Sequence, residues 1–224
     1  MDSSLKQKIR IRFEKTAHAR FLSHHDLMRL FERIVRRADI PIRMSAGFNP
    51  HPRISFPLAL GLGIEARNEL VEMELCEWMA AKEVRRRVSP LMPPGMSILS
   101  AKAIPPRAKA HVAAVVYEVD APESAAFWED RIAQVMQAAE LPVAREKKGK
   151  RRTVDIRPFL LDILYRDATI QVRLRIAPEG TARIEEVLQA LLGGPADAVH
   201  RRIVRTQLDL IDDEELKRRH AEAP

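Results

Sequence analysis

Ile9-Arg10-Ile11-Arg12-Phe13 alternates apolar and basic residues with a period of two, the pattern of a strand buried on one face. Ser23-His24-His25-Asp26-Leu27-Met28-Arg29-Leu30-Phe31-Glu32-Arg33-Ile34-Val35-Arg36-Arg37-Ala38 follows it. At 100° per residue, Leu27, Leu30, Phe31, Ile34 and Ala38 share one side, which predicts a helix packed by that stripe. Outward from this pair, strands are expected over 54–60 and 70–75. A helix is expected over 78–89, stopped by Pro90, Pro93, Pro94 and Gly95, and a strand over 96–104 closes the set.

The second half repeats the order. A strand is expected over 111–119 and a long helix over 123–140, opened by Pro122. Strands over 159–164 and 169–176 flank Tyr165-Arg166-Asp167-Ala168, which reads as a hairpin. A helix over 183–192 stops at Gly193-Gly194, and a strand over 203–210 is last. Two successive β-α-β-β-α-β units predict an α+β protein of two tandem ferredoxin-like (βαββαβ) domains with antiparallel sheets. Pro105-Pro106 marks the boundary between a basic N-terminal domain, 1–106, and a C-terminal domain, 107–224. The latter is expected to end in a charged helix, where Asp213–Lys217, Glu214–Arg218 and Glu215–Arg219 stand at i, i+4.

Of the 224 residues 46% are hydrophobic and 31% charged, enough apolar content to offset chain entropy and exclude a disordered chain. No apolar run reaches the roughly 18 residues of a membrane span, and the N-terminus has no signal-peptide core. A cytoplasmic chain with no membrane partner is therefore expected. Cys76 is the single cysteine, so an intrachain disulfide, a Cys-rich zinc site and an all-Cys iron–sulfur cluster are excluded. It ends the alternating stretch Leu70-Val71-Glu72-Met73-Glu74-Leu75 and reads as a structural thiol. The net charge is +7, and it is uneven: 19 Lys and Arg face 11 Asp and Glu through Arg107, a net +8, and the remainder is −1. Fold alone does not require such asymmetry, which points to a polyanion-binding face in the first half.

The first helix supplies the face. Ser23 and Asp26 have capping-box spacing, with Leu22 and Leu27 placed as a hydrophobic staple, so a structural role is assigned to Ser23 and Asp26. Opposite the apolar stripe lie Arg29, Arg33, Arg36 and Arg37, interrupted only by Glu32. A solvated helix face normally mixes signs, and arginine used this exclusively favours forked contacts to phosphate. Arg20 and Arg53 extend the set. His24 and His25, being adjacent, point about 100° apart and cannot both ligate one metal. His18, His24 and His51 lack the spacing of a metal motif, so no metal or other cofactor is expected. His24 and His51 are the candidate acid–base groups.

Ser45-Ala46-Gly47-Phe48-Asn49-Pro50-His51-Pro52-Arg53 reads as a stiff loop, since each proline fixes φ and restrains the residue before it. It offers a hydroxyl at Ser45, a ring at Phe48, an amide at Asn49 and an imidazole at His51, groups that hold unstacked RNA bases. In the second half, the run Arg145-Glu146-Lys147-Lys148-Gly149-Lys150-Arg151-Arg152 reads as a basic loop. Lys147, Lys148, Lys150, Arg151 and Arg152 are its phosphate candidates, against the plainer reading of a solvated loop. Asp155 and Arg157, one residue apart on an extended chain, share a face and are candidates to position a partner group or to pair with neighbours.

The run from Arg20-Phe21-Leu22-Ser23-His24 through Asp26-Leu27, Arg29, Arg33 and Arg36-Arg37, followed by Ser45 and Gly47-Phe48-Asn49-Pro50-His51-Pro52, resembles the radical-SAM-linked proteins of the DUF2344 family. The likeness extends to Pro57-Leu58, Gly61-Leu62-Gly63, Glu69, Asp155-Ile156-Arg157-Pro158 and Arg205-Thr206; His25 stands where the family pattern has Leu. Members are encoded beside, or fused to, a radical SAM protein, often near ribosomal-protein and ribonuclease genes. The resemblance implies an accessory role in RNA modification or ribosome-linked metabolism. Joined to the arginine ridge and the basic first half, it leads to the expectation of a non-catalytic adaptor that binds transfer or ribosomal RNA for a separate radical SAM enzyme. With one cysteine the CxxxCxxC cluster motif is impossible, so any cluster resides in the partner. Two other readings stay open: a metal-independent RNA-processing enzyme with His24 or His51 as base, and a protein-only docking partner of the radical SAM enzyme.

Overall fold

The computed structural model describes residues 5–147, 149–194, 201–212, 215, 216 and 218. They fall into two compact units, one within Met1–Val112 and Leu210–Pro224, the other Ala113–Asp209. The class is α+β, with mostly antiparallel strands and four α-helices among the described residues. The expected charged terminal helix falls largely outside those residues. No helix among them is long and apolar enough to cross a membrane.

In the first unit the order is β1 (Gln7–Lys15), a 3-10 turn (Ala17–Phe21), α1 (His24–Arg37), β2 (Ile54–Ser55), β3 (Glu65–Leu75), α2 (Ala81–Val88) and β4 (Met96–Ile104). The strands lie in the order β4-β1-β3, with β2 on the far side of β3, and every pair is antiparallel. Register pairs Ile9 with Met73 and Ile11 with Val71. The alternation read in the sequence thus sends Ile9, Ile11 and Phe13 into a core shared with Leu27, Phe31, Ile34 and Val35 of α1. Phe13 and Phe31 pack with ring centroids 5.2 Å apart. Arg10, one residue out of phase, lies on the opposite face and holds Glu72 across the ladder with two hydrogen bonds, 3.0 and 2.6 Å.

β2 is shorter than the strand expected over 54–60. Pro57 has no N–H to give a ladder, so pairing stops at Ser55. β3 begins at Glu65, five residues earlier than its alternation suggests, because buried Glu65 and Glu69 interrupt the apolar pattern. Lys15 is also wholly buried, and its ammonium donates to the carbonyls of Arg20 and Leu22, both at 3.2 Å. Those bonds fix the turn that leads into α1. Gly95 closes the same turn from β4: its carbonyl accepts from the Thr16 N–H at 2.7 Å.

The second unit runs β5 (His111–Asp120), α3 (Ala125–Gln137), β6 (Pro142–Lys147), β7 (Lys150–Asp155), β8 (Leu160–Arg166), β9 (Thr169–Arg175), α4 (Ile184–Leu192) and β10 (Ile203–Ile211), the last up to Asp209 within this unit. Sheet order is β10-β5-β9-β8, and β6 and β7 form a separate two-stranded ribbon. The β8–β9 turn holds Asp167 and Ala168 at φ of 49° and 54°, the left-handed pair that matches the twist of a tight hairpin. Trp128 of α3 is completely buried, donates to Glu123 at 3.1 Å and lies under the Arg201 guanidinium, which also pairs with Glu123. Cys76, in the first unit, is a free thiol whose Sγ–H donates to the Pro41 carbonyl at 3.3 Å.

Candidate functional site

α1 begins as its sequence specifies. Ser23 Oγ accepts from the Asp26 N–H at 3.2 Å, and the Asp26 carboxylate accepts from the Ser23 N–H at 3.0 Å. The Ser23 hydroxyl also donates to the Asp26 carboxylate at 2.7 Å; this bond first, and then the one from the Ser23 N–H, hold the Asp26 carboxyl below its ordinary range. With the stripe of Leu27, Phe31, Ile34 and Val35 buried, Arg29, Arg33, Arg36 and Arg37 are left exposed on the other side. Arg36 and Arg37 in the last turn also complement the helix dipole. Arg33, Arg36 and Arg37 have no ion-pair partner among the described residues.

Three of the four arginines do more than face solvent. Arg29, Arg33 and Arg36 line a groove of about 550 Å³ together with the apolar Leu22, Leu30 and Pro93 and the acidic Asp26 and Glu32. Arg37 is not part of it. In the sequence Leu22 reads as part of a staple, Leu30 as part of the apolar stripe and Pro93 as a helix stop, none of them as a site residue; only folding brings Pro93, from the turn after α2, beside α1.

The loop between α1 and β2 is closed at its neck. The Ser45 N–H donates to the His51 carbonyl at 2.8 Å, and the His51 N–H donates to Ser45 Oγ at 3.0 Å. The Ser45 hydroxyl also pairs with His51 Nδ1 at 2.9 Å. Met44 and Pro52 form a β-bridge just outside. Phe48 and Asn49 sit at the exposed apex, and Gly47 supplies a φ of 113° that L side chains avoid. Arg43 and Arg53 leave the neck on its two strands and meet Glu74, at 2.8 and 3.9 Å.

The remaining candidates are dispersed. Arg20 stacks on Phe21, 4.8 Å from its ring centroid, and lies 3.9 Å from Glu65. His24 packs edge-on to Phe56 at 5.5 Å, with Nδ1 buried and unbonded, so His24 and His51 have separate partners. His25 is exposed. Among the described residues no group of three His, Cys, Asp or Glu side chains forms a metal-ligand set.

In the second unit the basic run is not a loop but the ribbon β6–β7, with Arg145 opposite Arg152 and Lys147 opposite Lys150. Lys150, Arg151 and Arg152 are exposed, and Arg151 lies 3.6 Å from Glu146. Lys148 and the Lys147 side chain fall outside the described residues. Arg145 turns inward: it grips Glu186 of α4 with two hydrogen bonds of 2.7 Å and the Thr181 carbonyl with one of 2.6 Å. Burial pushes the Glu186 carboxyl up, but the Arg145 bonds and the Arg183 N–H outweigh it and hold the group below its ordinary range. Asp155 accepts from the N–H groups of Leu141 and Arg157, at 2.7 and 3.0 Å. Arg157 donates to the carbonyls of Met136, Ala138 and Leu160, two of them at the end of α3. Both side chains are thus engaged within the unit.

No curated protein sequence matches the chain. A chain of a solved structure, "Crystal Structure of a Cbf5-Nop10-Gar1 Complex", aligns at a TM-score of 0.41 and 15% identity over 89% of this chain. The alignment takes in 48% of that chain, so this protein spans about half its length. The profile of the family described as "Uncharacterized protein conserved in bacteria (DUF2344)" matches residues 8–189, and the chain belongs to the DUF2344 family.

Proposed function

We propose that this protein binds RNA as a non-catalytic accessory to a separate radical SAM enzyme, holding phosphates on the arginine face of α1. The observation that supports the reading is the groove: Arg29, Arg33 and Arg36 line one wall system, and Arg33 and Arg36 have no ion-pair partner among the described residues. Arg33 and Arg36, without an ion-pair partner among the described residues although Asp26 and Glu32 line the same groove, suit phosphate oxygens, and the apolar walls suit the sugar–base side of the same strand. The radical SAM partnership rests on the family resemblance, and transfer or ribosomal RNA is the substrate class it suggests. Lys150, Arg151 and Arg152 on the ribbon are a second, weaker phosphate surface in this reading. Asp155 and Arg157 serve the scaffold instead.

The fold proposal goes with it. Each unit is read as ferredoxin-like, supported by the strand orders β4-β1-β3-β2 and β10-β5-β9-β8, with the β6–β7 ribbon inserted in the second unit.

Binding of the purified protein to transfer RNA across a salt series tests the reading. If three or four arginines engage phosphates, log affinity falls against log salt with a slope of roughly −2 to −3. The Arg33→Ala/Arg36→Ala chain should bind more weakly with a slope flatter by roughly 1.5. Unchanged affinity and slope would remove the groove from RNA binding. Complex formation with the radical SAM protein that survives nuclease treatment would favour direct protein docking.

A further inference from the structure

We infer that the loop between α1 and β2 presents Phe48 as a stacking platform for one unpaired nucleobase, so that single-stranded RNA is the class this protein selects. The inference rests on the RNA-binding reading above. Phe48 has a relative exposure of 106%, which leaves both faces of its ring in water. A flexible loop would fold such a ring against the protein, since apolar surface is driven out of water. This loop cannot collapse that way. Three bonds join Ser45 to His51, the Met44–Pro52 bridge lies just outside them, and Pro50 fixes the backbone between.

A ring held ready in this way costs little further ordering when something flat stacks on it. Its surroundings choose the occupant. Ala46, Gly47, Asn49 and Pro50 are all exposed, and none adds a second large apolar anchor. A protein hot spot needs a surrounding rim that excludes water, and this apex has none. A base needs only one π-face, with a polar group at its edge and positive charge near its phosphate. The Asn49 amide is exposed at the apex, and the guanidinium of Arg53, 48% exposed, stands at the neck.

The test uses the full chain, a short single-stranded RNA, and the same RNA annealed to its complement, compared by fluorescence anisotropy at one low salt concentration. Phe48→Ala should weaken single-strand binding roughly 5- to 100-fold and leave duplex binding unchanged, and Phe48→Trp should restore the single-strand affinity. Because the side chain touches nothing, the variant folds as the parent does. Wild-type binding with no effect of Phe48→Ala, or an equal loss on both RNAs, overturns the platform and leaves the RNA-binding reading standing. Unchanged RNA binding with loss of a protein partner also overturns it, and assigns the ring to a protein pocket. A wild-type chain that binds neither RNA overturns both.

Discussion

Replacing Arg145 with Ala removes a guanidinium that holds the β6–β7 ribbon to the start of α4. Its two 2.7 Å bonds reach a Glu186 carboxylate whose side chain is 12% exposed, against 13% for Arg145 itself. Removing one member of a buried ion pair costs about 3–5 kcal/mol, because the other charge stays behind without a partner. Glu186 keeps its 2.8 Å bond from the Arg183 N–H and some contact with water, so about 2–3 kcal/mol is expected. For a chain of this length that lowers Tm by about 5–10 °C. The assay is thermal unfolding followed by circular dichroism, for Arg145→Ala, Glu186→Gln and the double variant. The pair should couple, with the double variant less destabilised than the two singles added together. The Glu186 pKa is depressed in the folded state, so its contribution is complete above the unfolded value near 4.3. It is lost as pH falls through the lower folded value, and the gap between wild type and Arg145→Ala should close over that interval. A Tm within about 1 °C of wild type at neutral pH, or a gap undiminished in acid, would refute the account.

Gly95→Ala should destabilise the chain by about 2–4 kcal/mol, read as a lower urea midpoint. A Cβ at that position meets the Thr16 carbonyl oxygen at 2.6 Å, a backbone atom that cannot swing away, and φ is +83°; an unchanged midpoint would show that the turn yields. The Glu83 carboxyl on α2 is held down to about 2 by hydrogen bonds from Arg86 and Arg87. A carboxyl-carbon NMR titration should show it ionised through the ordinary Glu range, its contribution present above the unfolded value near 4.3 and lost as pH falls through about 2. Arg86→Ala should return it toward the unfolded value, and a wild-type midpoint near 4 would dispose of the pairing.

What the sequence disclosed was whatever depends on neighbours along the chain. The period of two in Ile9-Arg10-Ile11-Arg12-Phe13 named its core face correctly, and the Ser23–Asp26 spacing gave the start of α1. The turn at Asp167-Ala168 was likewise legible. The β6–β7 ribbon was missed because eight mostly charged residues carry no apolar alternation, and its one inward side chain, Arg145, looks like its neighbours until Glu186 is brought beside it. Of the site, the arginine face could be counted off a helix wheel. The groove could not, since Pro93 lies more than fifty residues from Arg36 in the chain. Nor did the Ser45–His51 closure announce itself; both residues stood out for what they offered a ligand, and their first partner is each other.

The buried ammonium of Lys15 has a consequence for chemical labelling. With no exposed surface and two carbonyls in its grasp, it is closed to amine-acylating reagents for as long as the turn before α1 stays formed. Acylation would also erase the charge that those carbonyls accept from. A copy modified at Lys15 is therefore one that opened there first, and the extent of modification at that single residue reports how often the entrance to α1 comes apart.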